Sequence, residues 1–223
     1  QYFEYDDKLY EKIVKLRNKI SIKEDLKKYF NELNLIEREI TIFNATVVNK
    51  ILKKIEINVD LVGFHGQTIF HEPSKKTTKQ LGNAKLLSQL IKKKVIYDFR
   101  KNDLKNGGQG APLTPIFHIL LADQIHKKFK VKFPIYILNI GGISNITRIR
   151  IFKDELLNAT DAYDIAPGNC LIDEWIRKNS KQKYDKKGLI ARSGKIDKLI
   201  LNQALDNFSI NSNYEKSLDI KDY

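Results

Sequence analysis

Four groups of residues have types and spacings suited to chemistry. Asp98 closes an apolar run at 94–99, beside Arg100 and shortly before the stretch Gly107-Gly108-Gln109-Gly110. A carboxylate at such a place suits a general base that takes a proton from a hydroxyl or a water. It equally suits a helix cap or an ion-paired side chain. Asp103 reads as a solvated loop residue. The pair Gly141-Gly142 lies between Asn139 and Ser144-Asn145. Without side chains it lets backbone N–H groups approach an anion, and the Ser and Asn add donors, an arrangement that suits phosphate. A glycine pair is also an ordinary hairpin turn. His65-Gly66-Gln67-Thr68 follows a second apolar run, where His and Gln can hydrogen-bond a polar ligand such as a sugar, or His65 can be structural. Asp164 precedes Pro167-Gly168-Asn169 at a helix start. Free N–H groups there can take an anion or a sugar hydroxyl, or belong to a plain capped helix.

Several other chemistries find no support. His71, His118 and His126 lack metal-ligand spacing with His65, so no zinc site is expected. Cys170 stands beside an apolar helical face and reads as core rather than nucleophile. No G-x-x-x-x-G-K-[ST] loop occurs, and no G-x-G-x-x-G follows a strand.

These residues need elements to position them. Residues 8–34 read as helices, with Leu9, Ile13 and Leu16 at helical spacing and a capping box from Ser21 to Glu24. Residues 35–55 read as a long helix. The runs 59–64, 94–99 and 134–140 read as strands buried on both faces. Polar residues just past such strands are where ligands bind in open α/β sheets. Residues 72–80 read as a surface loop, 83–92 and 116–128 as helices, and 134–149 as a hairpin broken at Gly141-Gly142. Residues 164–169 read as a loop feeding a helix over 170–179, whose apolar face is Leu171, Ile172, Trp175 and Ile176. Residues 184–194 read as loop, 196–208 as a helix and 210–223 as a polar tail. The lysine-rich run 127–134 reads as a connection between lobes, giving 1–131 and 132–223.

Composition bounds the rest. The 223 residues are ample for a buried core, and 42% hydrophobic residues exclude wholesale disorder. No apolar run approaches the roughly 20 residues of a membrane span, and no basic-then-apolar signal peptide is visible. A single Cys excludes a disulfide framework and fits a reducing, cytoplasmic setting. The net charge is 40 − 27 = +13, which suggests nucleic acid or an anionic surface. But seven of the 40 basic residues are Arg and the rest Lys, spread along the chain without Arg–aromatic clusters. Ile, Asn, Tyr and Phe are also abundant. AT-rich codons explain that pattern, and no nucleic-acid partner is expected. The chain contains no Met, so the gene is expected to start elsewhere than at Gln1.

Taken in order, GFHGQT, YDFR, GGQGAPLTPIFH, LNIGGISN, APGNCLIDEW, YDKKG and KSLD resemble the anhydro-N-acetylmuramic acid kinase family. The resemblance runs from about residue 39 to the C-terminus. It implies an α/β fold of two ribonuclease-H-like lobes, as in the hexokinase, actin and Hsp70 superfamily. It implies ATP and Mg²⁺ as cofactors, a cytoplasmic homodimer, and ATP-dependent opening of the 1,6-anhydro ring with phosphorylation of O6. Asp98 matches the family's catalytic base. His65, Gln67, Arg100 and Gln109 would line the sugar cleft. Gly141, Gly142, Ser144 and Asn145 match the superfamily's second phosphate loop, and Asp164, Gly168 and Asn169 the loop beside the sugar. The family's first phosphate loop and its adenosine-binding glycine motif have no counterpart in these residues, so the chain is expected to be the middle of the enzyme. Three departures from the family pattern stand out: Asn83-Ala84 in place of Asp-Gly, Ile165-Ala166 in place of Thr-Gly, and Glu215 in place of Pro. An Ala at 166 disfavours any positive φ there. A related kinase of other specificity, an inactive remnant and a basic nucleic-acid binder are the alternatives.

Overall fold

The computed structural model describes residues 2–150 and 160–207. Glu215, the KSLD segment and the tail from 210 lie outside the described residues. Within them the chain is mixed α/β, with three small sheets. It divides into two compact units between Ala111 and Pro112.

The first unit opens with helix α1 (Asp7–Lys19), a single turn α2 (Asp25–Lys28) and the long α3 (Phe30–Leu52). Asp6 caps α1 by accepting the Leu9 N–H at 2.9 Å. The Ser21/Glu24 capping box does not form. Asp25 instead reaches back and accepts the N–H groups of Ser21 and Ile22, at 2.9 and 3.1 Å. Those two bonds hold its carboxyl below the usual carboxylate range.

Strand β1 (Leu61–Gly63) pairs in parallel with β4 (Lys94–Ile96). The chain between them supplies the crossover that parallel pairing needs: a hairpin of β2 (Gln67–Glu72) and β3 (Thr77–Leu81), then α4 (Ala84–Ile91). The stretch read as a 72–80 surface loop is therefore mostly a β-hairpin. Its polar residues are bonded within the protein, Lys79 to Glu37 at 2.7 Å and Thr78 to the Phe70 carbonyl at 3.3 Å, while Leu81 is fully buried. Leu16, Ile20, Ile36 and Ile40 bury against Ile69, Phe70 and Leu81 of this hairpin. Ala45 of α3 packs with Phe64, Leu87 and Ile91, and Val62 and Val95 lie against them. The strands read as buried on both faces are buried on one. Leu61 and Ile96, flanking those valines, are about half exposed (51% and 49%). Short apolar runs do not distinguish the two cases. Helix α5 (Phe99–Lys105) ends the unit and packs on β3.

The second unit contains α6 (Pro115–Phe129) and an antiparallel sheet in the order β5 (Ile135–Ile140), β6 (Ile143–Ile149), β7 (Thr160–Pro167). Helix α6 packs on β6 and β7 and so groups with this unit, ahead of the 131/132 division read from sequence. Ile119, Ala122, Ile135 and Ile149 form its buried cluster. Then come α7 (Cys170–Asn179), the short α8 (Leu189–Ser193) and α9 (Lys198–Asn207). The 184–194 stretch thus contains a helix: Asp185 accepts the N–H groups of Ile190 and Ala191, at 2.9 and 3.0 Å, and closes a turn. Only Cys170 and Ile176 of α7 are buried; Leu171, Ile172 and Trp175 of its expected apolar face are exposed. No described helix is long and apolar enough to cross a membrane.

His118 on α6 is buried, with Nδ1 2.7 Å from the Thr147 hydroxyl of β6. Burial pushes its pKa below the ordinary 6.5. The unfolded chain takes up that proton as pH falls through 6.5 while the folded chain resists it, so stability is full above this pH and declines below it. Denaturation midpoints measured between about pH 7.5 and 5.5 should fall towards acid, and His118→Gln should flatten the slope. An unchanged slope in the variant would remove His118 as the cause.

Candidate active site

Asp98 stands between β4 and α5 in a left-handed conformation, φ 60° and ψ 31°. Asp and Asn tolerate this region better than other residues with a Cβ. Its backbone carbonyl accepts the Asn102 N–H at 2.9 Å and starts the helix. Its carboxylate makes no capping hydrogen bond. The carboxylate lies 3.6 Å from Lys101 Nζ and is half exposed (51%), so this is a loose, solvent-screened pair.

Arg100 ties three segments together from the first turn of α5. Nε donates to His65 Nε2 at 2.7 Å, and Nη1 donates to the Gly110 carbonyl at 3.0 Å. Its half-buried position lowers the guanidinium pKa. Because Nε of Arg can only donate, His65 Nε2 must accept. The His65 proton therefore sits on Nδ1, which donates to the Gly66 carbonyl at 2.8 Å. Gly66 has φ +73°, and a Cβ there would stand 2.6 Å from the Leu81 carbonyl oxygen. Glycine is required for the chain to turn from His65 into β2, where Gln67 pairs with Leu81. His65, Arg100 and the glycine-rich loop are thus joined, with Gln109 exposed on that loop and Asp98 at the helix start.

Asp103, expected in a solvated loop, lies on α5 and is half-buried. Its Oδ2 accepts the Gly110 N–H at 2.7 Å, and its carbonyl accepts the Gly108 N–H at 2.9 Å. A signal for it exists in the sequence. Arg100 and Asp103 are three residues apart, which places them on one helical face.

In the second unit the two remaining groups come together. Register pairs Asn139 with Asn145, Ile140 with Ser144, Ser144 with Ala166 and Asn145 with Asp164. A bulge between Ser144 and Asn145 takes up Ile165. Residues 164–167, read as loop, are the end of β7, because pairing with β6 overrides their weak strand propensity. Ala166 is extended and not among the positive-φ residues, so the missing glycine creates no strain there. The N–H groups of Gly168 and Asn169 donate to the carbonyls of Gly142 and Gly141, at 2.8 and 2.7 Å, and Cys170 N–H reaches Gly142 at 3.2 Å. These donors, read either as free for an anion or sugar hydroxyl or as part of a plain capped helix, are used within the protein. A Cβ on Gly168 would collide with the Gly141 carbonyl oxygen and stand 2.9 Å from Ser144 Oγ.

The family model described as anhydro-N-acetylmuramic acid kinase matches residues 2–218. The chain belongs to the anhydro-N-acetylmuramic acid kinase family. It is 49% identical over 224 residues to the anhydro-N-acetylmuramic acid kinase of Pelagibacter ubique (strain HTCC1062), covering 100% of this chain and 58% of that protein. It is 36% identical over 194 residues to the enzyme of that name from Brucella canis, covering 86% of this chain and 50% of that one. For the Rhizobium etli protein of the same name the figures are 37% over 195 residues, 86% and 50%. The chain spans about half the length of the curated relatives it matches.

The Gly168 contact is testable without substrate. Gly168→Ala should lower stability by about 1–3 kcal/mol, the range for forcing an extra carbon into a packed site. Gly194→Ala is the control, since its nearest neighbours lie 3.7 Å or more away. Urea denaturation of both variants checks this, and equal midpoints would refute the contact.

Proposed function

We propose that the full-length protein is an ATP-dependent kinase acting on 1,6-anhydro-N-acetylmuramic acid, giving N-acetylmuramic acid 6-phosphate in cell-wall recycling. We take its fold to be the two-lobed, actin-like one, working as a cytoplasmic homodimer. Family membership across residues 2–218 carries this reading. It is supported by an Asp98 carboxylate that neither caps its helix nor sits in a tight ion pair.

The chemistry fixes what the base must do. O6 of the anhydro sugar is a ring ether and has no proton to lose. Water must therefore add at the anomeric carbon as its bond to O6 breaks, and O6 bonds the γ-phosphorus as the bond to ADP breaks. Asp98 takes the proton of the attacking water. His65, Gln67, Arg100 and Gln109 orient the sugar, together with Asp164, Gly168 and Asn169. Gly141, Gly142, Ser144 and Asn145 bind the nucleotide phosphates. The internal bonds of Arg100 and of the Gly168 and Asn169 N–H groups limit what each offers. Arg100 retains Nη2, and Asn169 retains its side-chain amide beyond a 3.5 Å contact to the Ile140 carbonyl.

Mg²⁺ is expected with ATP. Among the described residues no group of three or more His, Cys, Asp or Glu is placed to hold a metal ion. When bound with the nucleotide, it would offset charge on the phosphates.

In the full-length protein, Asp98→Asn should lower kcat by about 10²–10⁴-fold, the range for a lost general base. Asn keeps the left-handed backbone accessible, so the sugar dissociation constant should change little. Turnover within a few-fold of wild type would exclude Asp98 as the base.

A further inference from the structure

We propose that Asp103 is a positioning residue: with Arg100 it grips Gly110 by both of its backbone polar groups and so fixes the glycine-rich loop that carries Gln109. This rests on the kinase reading for its functional consequence and on geometry alone for the grip.

Arg100 and Asp103 project from one face of α5, three residues apart. The guanidinium takes the Gly110 carbonyl at 3.0 Å, and the carboxylate takes the Gly110 N–H at 2.7 Å. Both bonds are charge-assisted, the stronger class of protein hydrogen bond. Gly110 is itself buried, with φ +72°, and a Cβ there would stand 3.0 Å from Leu104 Cγ and 3.1 Å from His71 Cε1. No other residue fits that landing point easily. The opposite end of the short loop is held by the same residue. The Gly108 N–H bonds the Asp103 carbonyl at 2.9 Å, and a Cβ on Gly108 would run into the Asp103 carboxylate. Gln109 therefore has both flanking residues tied to Asp103 while it is itself exposed.

The remaining bond of Arg100, to His65, extends the grip to the segment entering β2. One guanidinium thus joins two loops that carry proposed sugar-binding residues to the helix that begins at Asp98. A solvated surface aspartate would leave the N–H of buried Gly110 without this acceptor and would leave room for a Cβ at 108.

The test uses the full-length protein and three variants, Asp103→Ala, Asp103→Asn and Arg100→Lys. Amide hydrogen exchange at Gly110 reads the grip without reference to activity. Exchange should accelerate by about tenfold to hundredfold in Asp103→Ala, as expected for loss of a hydrogen bond to a charged group. Asp103→Asn keeps an acceptor oxygen and should restore most of the protection. Arg100→Lys, which cannot bond His65 and Gly110 together, should lose part of it. Steady-state kinetics with anhydro-N-acetylmuramic acid read the function. Asp103→Ala should raise the sugar KM by about tenfold or more while the ATP KM stays within about twofold, and Asp103→Asn should recover the sugar KM. Unchanged exchange in Asp103→Ala overturns the grip. Faster exchange with an unchanged sugar KM, or with equal rises in both KM values, overturns the positioning role. Wild-type protein that does not turn over the sugar overturns the kinase reading instead, and the exchange result then decides the grip alone.

Discussion

The first unit turns on the left-handed backbone of one residue, Asp98. With φ 60° it converts the direction of β4 into that of α5 within two residues of the strand end. A left-handed L-residue costs on the order of 1 kcal/mol, least for Asp and Asn. What that cost secures is a division of labour within one residue. The carbonyl opens the helix, and the carboxylate is left out of the cap. Had the chain entered α5 through an extended residue, the same side chain would have been aimed at its own helix N–H groups, as that of Asn83 is at the Leu86 N–H. Backbone strain at a position with an exposed, chemically competent side chain is the pattern that functional sites show. The rest of the cluster follows from where α5 then points, because Arg100 and Asp103 lie on the helix that Asp98 starts.

The second unit solves a similar problem with main chain instead of side chains. Its glycine turn and the entry to α7 are joined by three backbone hydrogen bonds from 168–170 to the carbonyls of Gly141 and Gly142. These bonds involve no rotatable side chain, so the glycine turn and the Asp164–Asn169 segment are set relative to each other by peptide geometry. The bulge at Ile165 keeps Asp164 opposite Asn145 and Ala166 opposite Ser144. That register puts the polar residues of both strands in one neighbourhood.

Much of this was legible in the residues. Periodicity located α1, α3, α4, α6 and α7, and the glycine punctuation located the β5–β6 hairpin, because these signals are local. The hairpin of β2 and β3 was not legible. Its polar Thr and Lys residues read as loop, and its strand character comes from pairing and from α1 and α3 packed on it. The end of β7 reads as loop for the same reason, its strand character coming from pairing with β6. The site residues were legible as types but not as connections. Nothing in the string says that Arg100 bonds His65, which is 35 residues away, or that the N–H groups at 168–170 are already used. Asp103 reads as a solvated loop residue because its partner is a backbone N–H seven residues on, and its spacing from Arg100 alone does not reveal that bond. The apolar runs at β1 and β4 were read as doubly buried because a three-residue strand is too short to display alternation.

The departures from the family pattern show where conformation constrains identity. Asn83 stands in place of an acidic residue, yet its side chain accepts the Leu86 N–H at 2.9 Å and caps α4. Capping needs an acceptor oxygen rather than a charge. Ala84, in place of glycine, is buried beside Leu87 in the packed cluster, where a methyl group is accommodated. Ala166 replaces a glycine within an extended strand, so no positive φ is demanded of it. The demand falls instead on Gly168, where the Gly141 carbonyl leaves no room for a Cβ. Within the described residues, none of positions 83, 84, 165 and 166 has a positive φ. Of the glycines whose Cβ would meet a close neighbour, those at 66, 110 and 168 lie within clusters that hold proposed site residues.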